Sequence, residues 1–212
     1  VNIYYCFFVL NIQIKFKGFD KSLLKEILVF SSFILLNLII DKIYWSTDQI
    51  ILGIYSGTVA VSIYTIGATF SGYFSGFSAA MSNVFLSKVT RMVTNDVSGT
   101  ELSDLFIRVG RVQFIIISFA LSGFIVLGQE FINLWVGKEY RNSFTIAIVI
   151  LVPMMIPLIQ SMGGIILQAK NMQTFKSILY FIIAVANVFL SVMLVQRWGP
   201  IGCAIATAIA FT

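Results

Sequence analysis

Asn37, Asp41, Tyr44 and Asp48 stand at the end of a run that is apolar from Ile27 to Ile40 apart from a few small or amide side chains. At about 100° of rotation per helical residue they fall within roughly 60° of one another, so one face of a greasy helix is polar. A carboxylate turned toward lipid near the bilayer centre costs about 2.5–3.5 kcal/mol, which obliges this face to look into protein or water. Acidic residues so placed can hold a coupling cation or a proton, or pair with a base such as Lys42. Asp48, just before Gly53 and Gly57, also has a plainer reading as the cap of a tight connection at the membrane surface. Arg141 and Arg197 are either anion-binding groups or interface anchors whose aliphatic stems lie along apolar surface. Gln160 and Asn187 fit hydrogen bonds between helices as well as contacts to a polar ligand.

The remaining chemistry is narrow. The chain contains no His, and Cys6 and Cys203 sit far apart in apolar segments. No metal site, disulfide framework, cofactor motif, or Ser/His or Cys/His nucleophile follows from these residues. Nothing points to nucleic acid.

The elements that must carry these side chains are membrane helices. Hydrophobic residues make up 58% of the 212 and charged residues 11%, against about 25% charged in a soluble domain. Several apolar runs reach the roughly 17 residues that cross about 30 Å of hydrocarbon as a helix, and they lack the strict alternation of a barrel. The fold class expected is all-α, a polytopic transmembrane helical bundle.

Taken in order, 1–14 reads as the tail of a preceding helix and 15–26 as a basic linker. Spans are expected at about 27–48, 58–86, 112–127, 144–169, 177–195 and, incomplete, 200–212. The chain is expected to be truncated at both ends. A tight connection near Gly53 to Gly57 joins the first two spans. The second carries Gly67, Ser71, Ser75, Ser78 and Ser82 at helical spacing, with Gly72 and Gly76 as a GxxxG; such small faces let helices pack closely. Ser98 followed by Glu101 resembles a capping box, so a helix should start near Gly99. Gly128 to Ser143, with Glu130, Trp135 and Tyr140, reads as a headgroup boundary. Pro153 and Pro157 predict a bent or broken fourth span.

Basic residues in alternate connections set the orientation. Lys15, Lys17, Lys21, Lys25, Lys88, Arg91, Arg108, Arg111, Lys170 and Lys176 fall on one side, against Lys42, Lys138, Arg141 and Arg197 on the other, accounting for all 14 Lys and Arg. The first side is expected to be cytoplasmic.

TDQIILGIYSGTVAVSIYTIG (Thr47 to Gly67) resembles the opening of the second half of the oligosaccharide flippases, the polysaccharide transporters of the multidrug/oligosaccharidyl-lipid/polysaccharide exporter superfamily. The resemblance continues through FINLWVGKEY (Phe131 to Tyr140), ILQAKNMQTFKS (Ile166 to Ser177) and ANVFLSVMLVQRWGPIGCAIATAIA (Ala186 to Ala210), with Asn187, Gly199, Gly202, Ala204, Ala206 and Thr207 at the family's usual places. The chain departs from the family in lacking a Pro near Asn83 to Ser87 and another at Gln196 or Arg197.

The resemblance implies the second six-helix lobe of a two-lobe flippase, with 15–26 as the cytoplasmic connection between lobes. It implies alternating-access transfer of an undecaprenyl-diphosphate-linked oligosaccharide across the bacterial inner membrane, for O-antigen, lipopolysaccharide or capsule biosynthesis. Polysaccharide polymerase and glycosyltransferases are implied as partners, and no enzymatic activity. The alternatives are a cation-coupled multidrug or metabolite antiporter of the same superfamily and an integral-membrane polysaccharide-assembly enzyme. Against the enzyme stand the missing His and a largest loop whose only acids, Asp96, Glu101 and Asp104, include no adjacent pair. On this reading Asn37, Asp41, Lys42, Tyr44, Asp48, Arg141, Gln160 and Asn187 are the substrate or coupling-ion candidates. Asp41 is favoured for transport, and Asp48 with the following glycines for architecture.

Overall fold

A computed structural model describes residues 21–170 and 172–212; side chains at 23, 26, 29, 30, 32–45 and 173–177 are outside the description. The chain divides into two units, Val1–Ile43 and Tyr44–Thr212. Of the first, helical backbone from Lys21 is described, so residues 21–26 of the stretch expected to be linker are helical. The expected helix tail at 1–14, Cys6 and the start of the linker lie outside the described residues. The buried core lies in the second unit.

Backbone polar groups cannot bond to lipid, and the apolar runs close them internally as helices. The elements are α1 (Lys21–Val84), α2 (Leu86–Thr94), α3 (Gly99–Trp135), a 3-10 turn (Lys138–Tyr140), α4 (Asn142–Ile159), α5 (Ser161–Ala169) and α6 (Gln173–Ala210). Every regular element among the described residues is helical. Among the described residues, four stretches are long and apolar enough to cross a membrane: Ser46–Val84, Gly99–Trp135, Asn142–Ala169 and Ile178–Ala210. Their outer faces carry large apolar side chains. Phe119 is 80% exposed and Leu134 87%, side chains that gain about 1.5–3 kcal/mol each by leaving water.

Two of these stretches fold back on themselves. The Tyr64 hydroxyl reaches the Asp48 carboxylate at 2.5 Å across 16 residues of chain, a separation that a straight helix would hold at about 24 Å. The reversal is at Gly57, whose φ of 79° and ψ of 177° interrupt the helical backbone of α1. A Cβ there would meet nothing within 4 Å, so the glycine answers a conformational need, positive φ, and no steric one. The connection expected over Gly53 to Gly57 is thus narrowed to Gly57, because Gly53 is still helical. In α6 the same happens at Gly199, with φ 54° and ψ −132°, followed at once by Pro200. Just past that turn, Gly202 lies so close to the Leu194 carbonyl that a Cβ would collide with backbone.

Local signals explain the other boundaries. Ser98 caps α3, its Oγ accepting from Glu101 N–H at 3.4 Å, as the capping motif predicts. The third span is longer than expected, since α3 runs through Gly128 to Trp135. Its buried face continues there, with Ile132 fully buried, and a Cβ at Gly128 would lie 3.0 Å from the Phe124 and Phe144 rings. The expected break in the fourth span falls at Gln160, three residues beyond Pro157 and between α4 and α5.

Packing follows the small residues only in part. Gly67 lets α1 meet α4 so closely that a Cβ would lie 2.7 Å from the Ser143 carbonyl oxygen, and the Ser143 hydroxyl donates to the Ile63 carbonyl at 2.7 Å. Gly72 and Gly76 behave otherwise: nothing lies within 4 Å of a Cβ at either. The GxxxG therefore does not pack against this unit. The core runs through Leu52, Ile117, Ile146, Ile150 and Met154, with α4 packed between α3 and α6.

Candidate functional site at Asp48

Asp48 sits about two helical turns before Gly57 and Tyr64 about two turns after it. Ser191 and Thr207 flank Gly199 in the same way. Two turns of helix measure roughly 11 Å, so two hairpins turning on the same face bring four polar side chains to one depth. They meet there. Asp48 Oδ2 accepts from the Tyr64 hydroxyl at 2.5 Å and the Thr207 hydroxyl at 2.6 Å. Its Oδ1 accepts from the Ser191 hydroxyl at 2.8 Å, and Asn187 Nδ2 donates to Thr207 Oγ1 at 3.5 Å. All five residues are buried, Asp48 to 6% exposure.

This corrects the reading of Asp48 as a surface cap. Helix continues on both sides of it, and the carboxylate is enclosed by α1 and α6 well below the turn. Three neutral hydroxyls bond to it, and among the described residues lining the adjoining cavity none is basic. That cavity, about 30 Å³, is bounded by Asp48, Tyr64, Ala68, Ser71, Ile150, Asn187 and Thr207. It has room for about two waters or one partly dehydrated small cation.

The donor set decides what can bind. One carboxylate with hydroxyl and amide oxygens offers a single negative charge and hard ligands, which suits a proton or a monovalent cation. Transition metals favour imidazole and thiolate, and no group of three or more His, Cys, Asp or Glu gathers among the described residues. The hydroxyls donate to the carboxylate here, and hydroxyl oxygens also carry lone pairs that could face a cation.

Of the other candidates, Asn187 joins this site through Thr207. Arg141, at the start of α4, and Gln160, at the α4–α5 break, are exposed and lie outside it. Arg197 is exposed beside the Gly199 turn, as an interface anchor would be. The side chains of Asn37, Asp41, Lys42 and Tyr44 lie outside the described residues. Tyr64, Ser191 and Thr207 were not singled out by sequence as site residues. Their signal is there in retrospect: Asn187 and Ser191 one turn apart, and Thr207 beyond the glycine, are polar residues within apolar spans.

A second polar knot lies at the α4–α5 break. The Ser78 hydroxyl donates to the Leu158 carbonyl at 2.7 Å, re-satisfying backbone where the helix is interrupted. Gln113, fully buried, donates through Nε2 to Ser82 Oγ at 2.8 Å and Ser161 Oγ at 3.0 Å. These bonds tie α1, α3 and α5 together and read as structural.

A family model described as polysaccharide biosynthesis protein matches residues 1–145. No curated protein and no solved structure matches the chain.

Proposed function

From the premise that this chain belongs to the polysaccharide biosynthesis protein family, we propose that it forms part of a flippase for a polyprenyl-diphosphate-linked oligosaccharide. It acts by alternating access in the bacterial inner membrane, upstream of a polysaccharide polymerase and downstream of glycosyltransferases, and catalyses no covalent step. The observation that carries the reading is the buried Asp48 carboxylate, bonded by Tyr64, Ser191 and Thr207 between two helical hairpins.

The reasoning is one of coupling. An ion or proton can drive a conformational change only by binding its two states differently. A carboxylate shared by α1 and α6 meets that requirement, because its occupancy changes the bonds between those two elements. With Asp48 ionised and the cavity free, the hydroxyls of α6 are drawn to α1. A cation between them redirects those hydroxyls, and a proton removes the charge that attracts them. Either event shifts the balance between packings. The substrate's diphosphate and sugar call for basic, amide and aromatic groups, a role for which Arg141, Gln160, Lys42, Asn37 and Tyr44 remain the candidates, with Asp41 a second acidic candidate.

The same coupling site would serve an antiporter, and the test separates the two. In a strain deleted for the full-length protein, lipid-linked oligosaccharide should accumulate on the cytoplasmic leaflet, and re-expression should clear it. Normal oligosaccharide transfer with altered drug efflux would replace the flippase by the antiporter. Accumulation of a chemically incomplete oligosaccharide would replace it by an assembly enzyme.

A further inference from the structure

Between α3 and the α4–α5 break runs an open groove of about 490 Å³. Phe106, Ile107, Phe114 and Ile115 line it from α3, with Arg111 the single charged group among its lining residues and Gln160 the single amide. Gly110 opens its floor: a Cβ there would only just touch Ile159, at 3.5 Å. Arg111 and Gln160 are both exposed. Arg111 also marks a boundary in α3. Before it the helix carries Glu101, Asp104 and Arg108; from Val112 to Leu127 it carries no charge. The guanidinium thus stands at headgroup level, with Phe114 and Ile115 one turn deeper in hydrocarbon.

We infer that this groove seats an anionic phospholipid, one acyl chain along Phe114 and Ile115 and the phosphate against Arg111 and Gln160. Charge complementarity chooses the occupant. An apolar groove on a membrane helix takes lipid of any kind, but a planar, always-charged fork at its mouth favours a phosphate that carries net negative charge. Basic pockets between membrane helices on the cytoplasmic side are suited to such headgroups, and the Gln160 amide adds a donor where the α4–α5 break exposes it. Arg108, one turn earlier and also exposed, reinforces the field. The inference rests on the membrane-spanning helices and, by giving Gln160 to the lipid phosphate, takes that residue out of the substrate-binding candidates.

The test is lipid retention by the intact protein purified in mild detergent, with phosphatidylglycerol or phosphatidylcholine added and bound lipid counted by native mass spectrometry. The wild type should retain phosphatidylglycerol preferentially. Arg111→Gln should lower that retention about five-fold, the factor corresponding to about 1 kcal/mol per basic residue near an anionic surface, and leave phosphatidylcholine unchanged. Ile115→Trp, which fills the groove, should lower both, and Lys138→Gln on the opposite side should change neither. Undiminished phosphatidylglycerol retention by Arg111→Gln would overturn the proposal. So would efficient membrane crosslinking of a cysteine at Ile115 to another protein segment, because the groove would then be covered by protein.

Discussion

Thr207→Val keeps the shape of its side chain and removes one of the three hydroxyls on the Asp48 carboxylate, a bond of 2.6 Å. A net contribution of about 1.5–3 kcal/mol is usual for a hydrogen bond to a charged group. Interhelical bonds within membranes measure less, about 0.6 kcal/mol on average and up to about 1.7. Two other hydroxyls stay on the carboxylate, and the expected loss is therefore about 1–2 kcal/mol. Asp48→Ala does more. It strips the acceptor from Tyr64, Ser191 and Thr207 together, and orphaned buried donors cost about 1–3 kcal/mol each. Water entering the adjoining cavity offsets part of this, for an expected loss of about 3–5 kcal/mol. Combined, the two changes should be less than additive by about 1–2 kcal/mol, since the Thr207 bond can be lost only once. Reversible unfolding in mixed detergents, followed by circular dichroism, measures all three variants. Additivity within about 0.5 kcal/mol, the behaviour of independent sites, would refute the contact between the two hairpins and with it the coupling argument.

Two further expectations concern packing and orientation. Gly202→Ala must displace the Leu194 backbone and should cost about 1–3 kcal/mol, as overpacking does, whereas Gly72→Ala, with open space around it, should be neutral or gain up to about 1 kcal/mol from helix propensity; thermal unfolding of the pair checks both, and equal effects would count against the Gly199 hairpin. A cysteine at Asp96, exposed between α2 and α3, should react with a membrane-impermeant thiol reagent only from the cytoplasm, and labelling of intact cells from outside would reverse the orientation.

What sequence made legible was local. Apolar run lengths marked the helices, Ser98 and Glu101 marked the start of α3, and Pro153 and Pro157 foretold the break near Gln160, because each acts through bonds within a turn or two. The centre of the site was not legible for the opposite reason. Ser191 and Thr207 lie 143 and 159 residues from Asp48, and their meeting depends on which helix faces pair. Asp48 consequently looked like the end of a helix when it lies two turns inside a hairpin. The small-residue stripe divided for the same reason: Gly67 and Ser78 found partners on α4, while Gly72 and Gly76 face none in this unit. Glycine spacing says that close approach is possible and leaves open where it occurs.

The most direct measurement is the leaflet distribution of lipid-linked oligosaccharide in cells whose full-length protein carries Asp48→Asn at wild-type membrane abundance. The substitution is nearly isosteric and keeps one oxygen for the hydroxyls while removing the charge that a cation or proton would meet. Coupling through Asp48 predicts that the oligosaccharide stays on the cytoplasmic leaflet and surface polysaccharide is lost. Transfer at the wild-type rate would contradict the account.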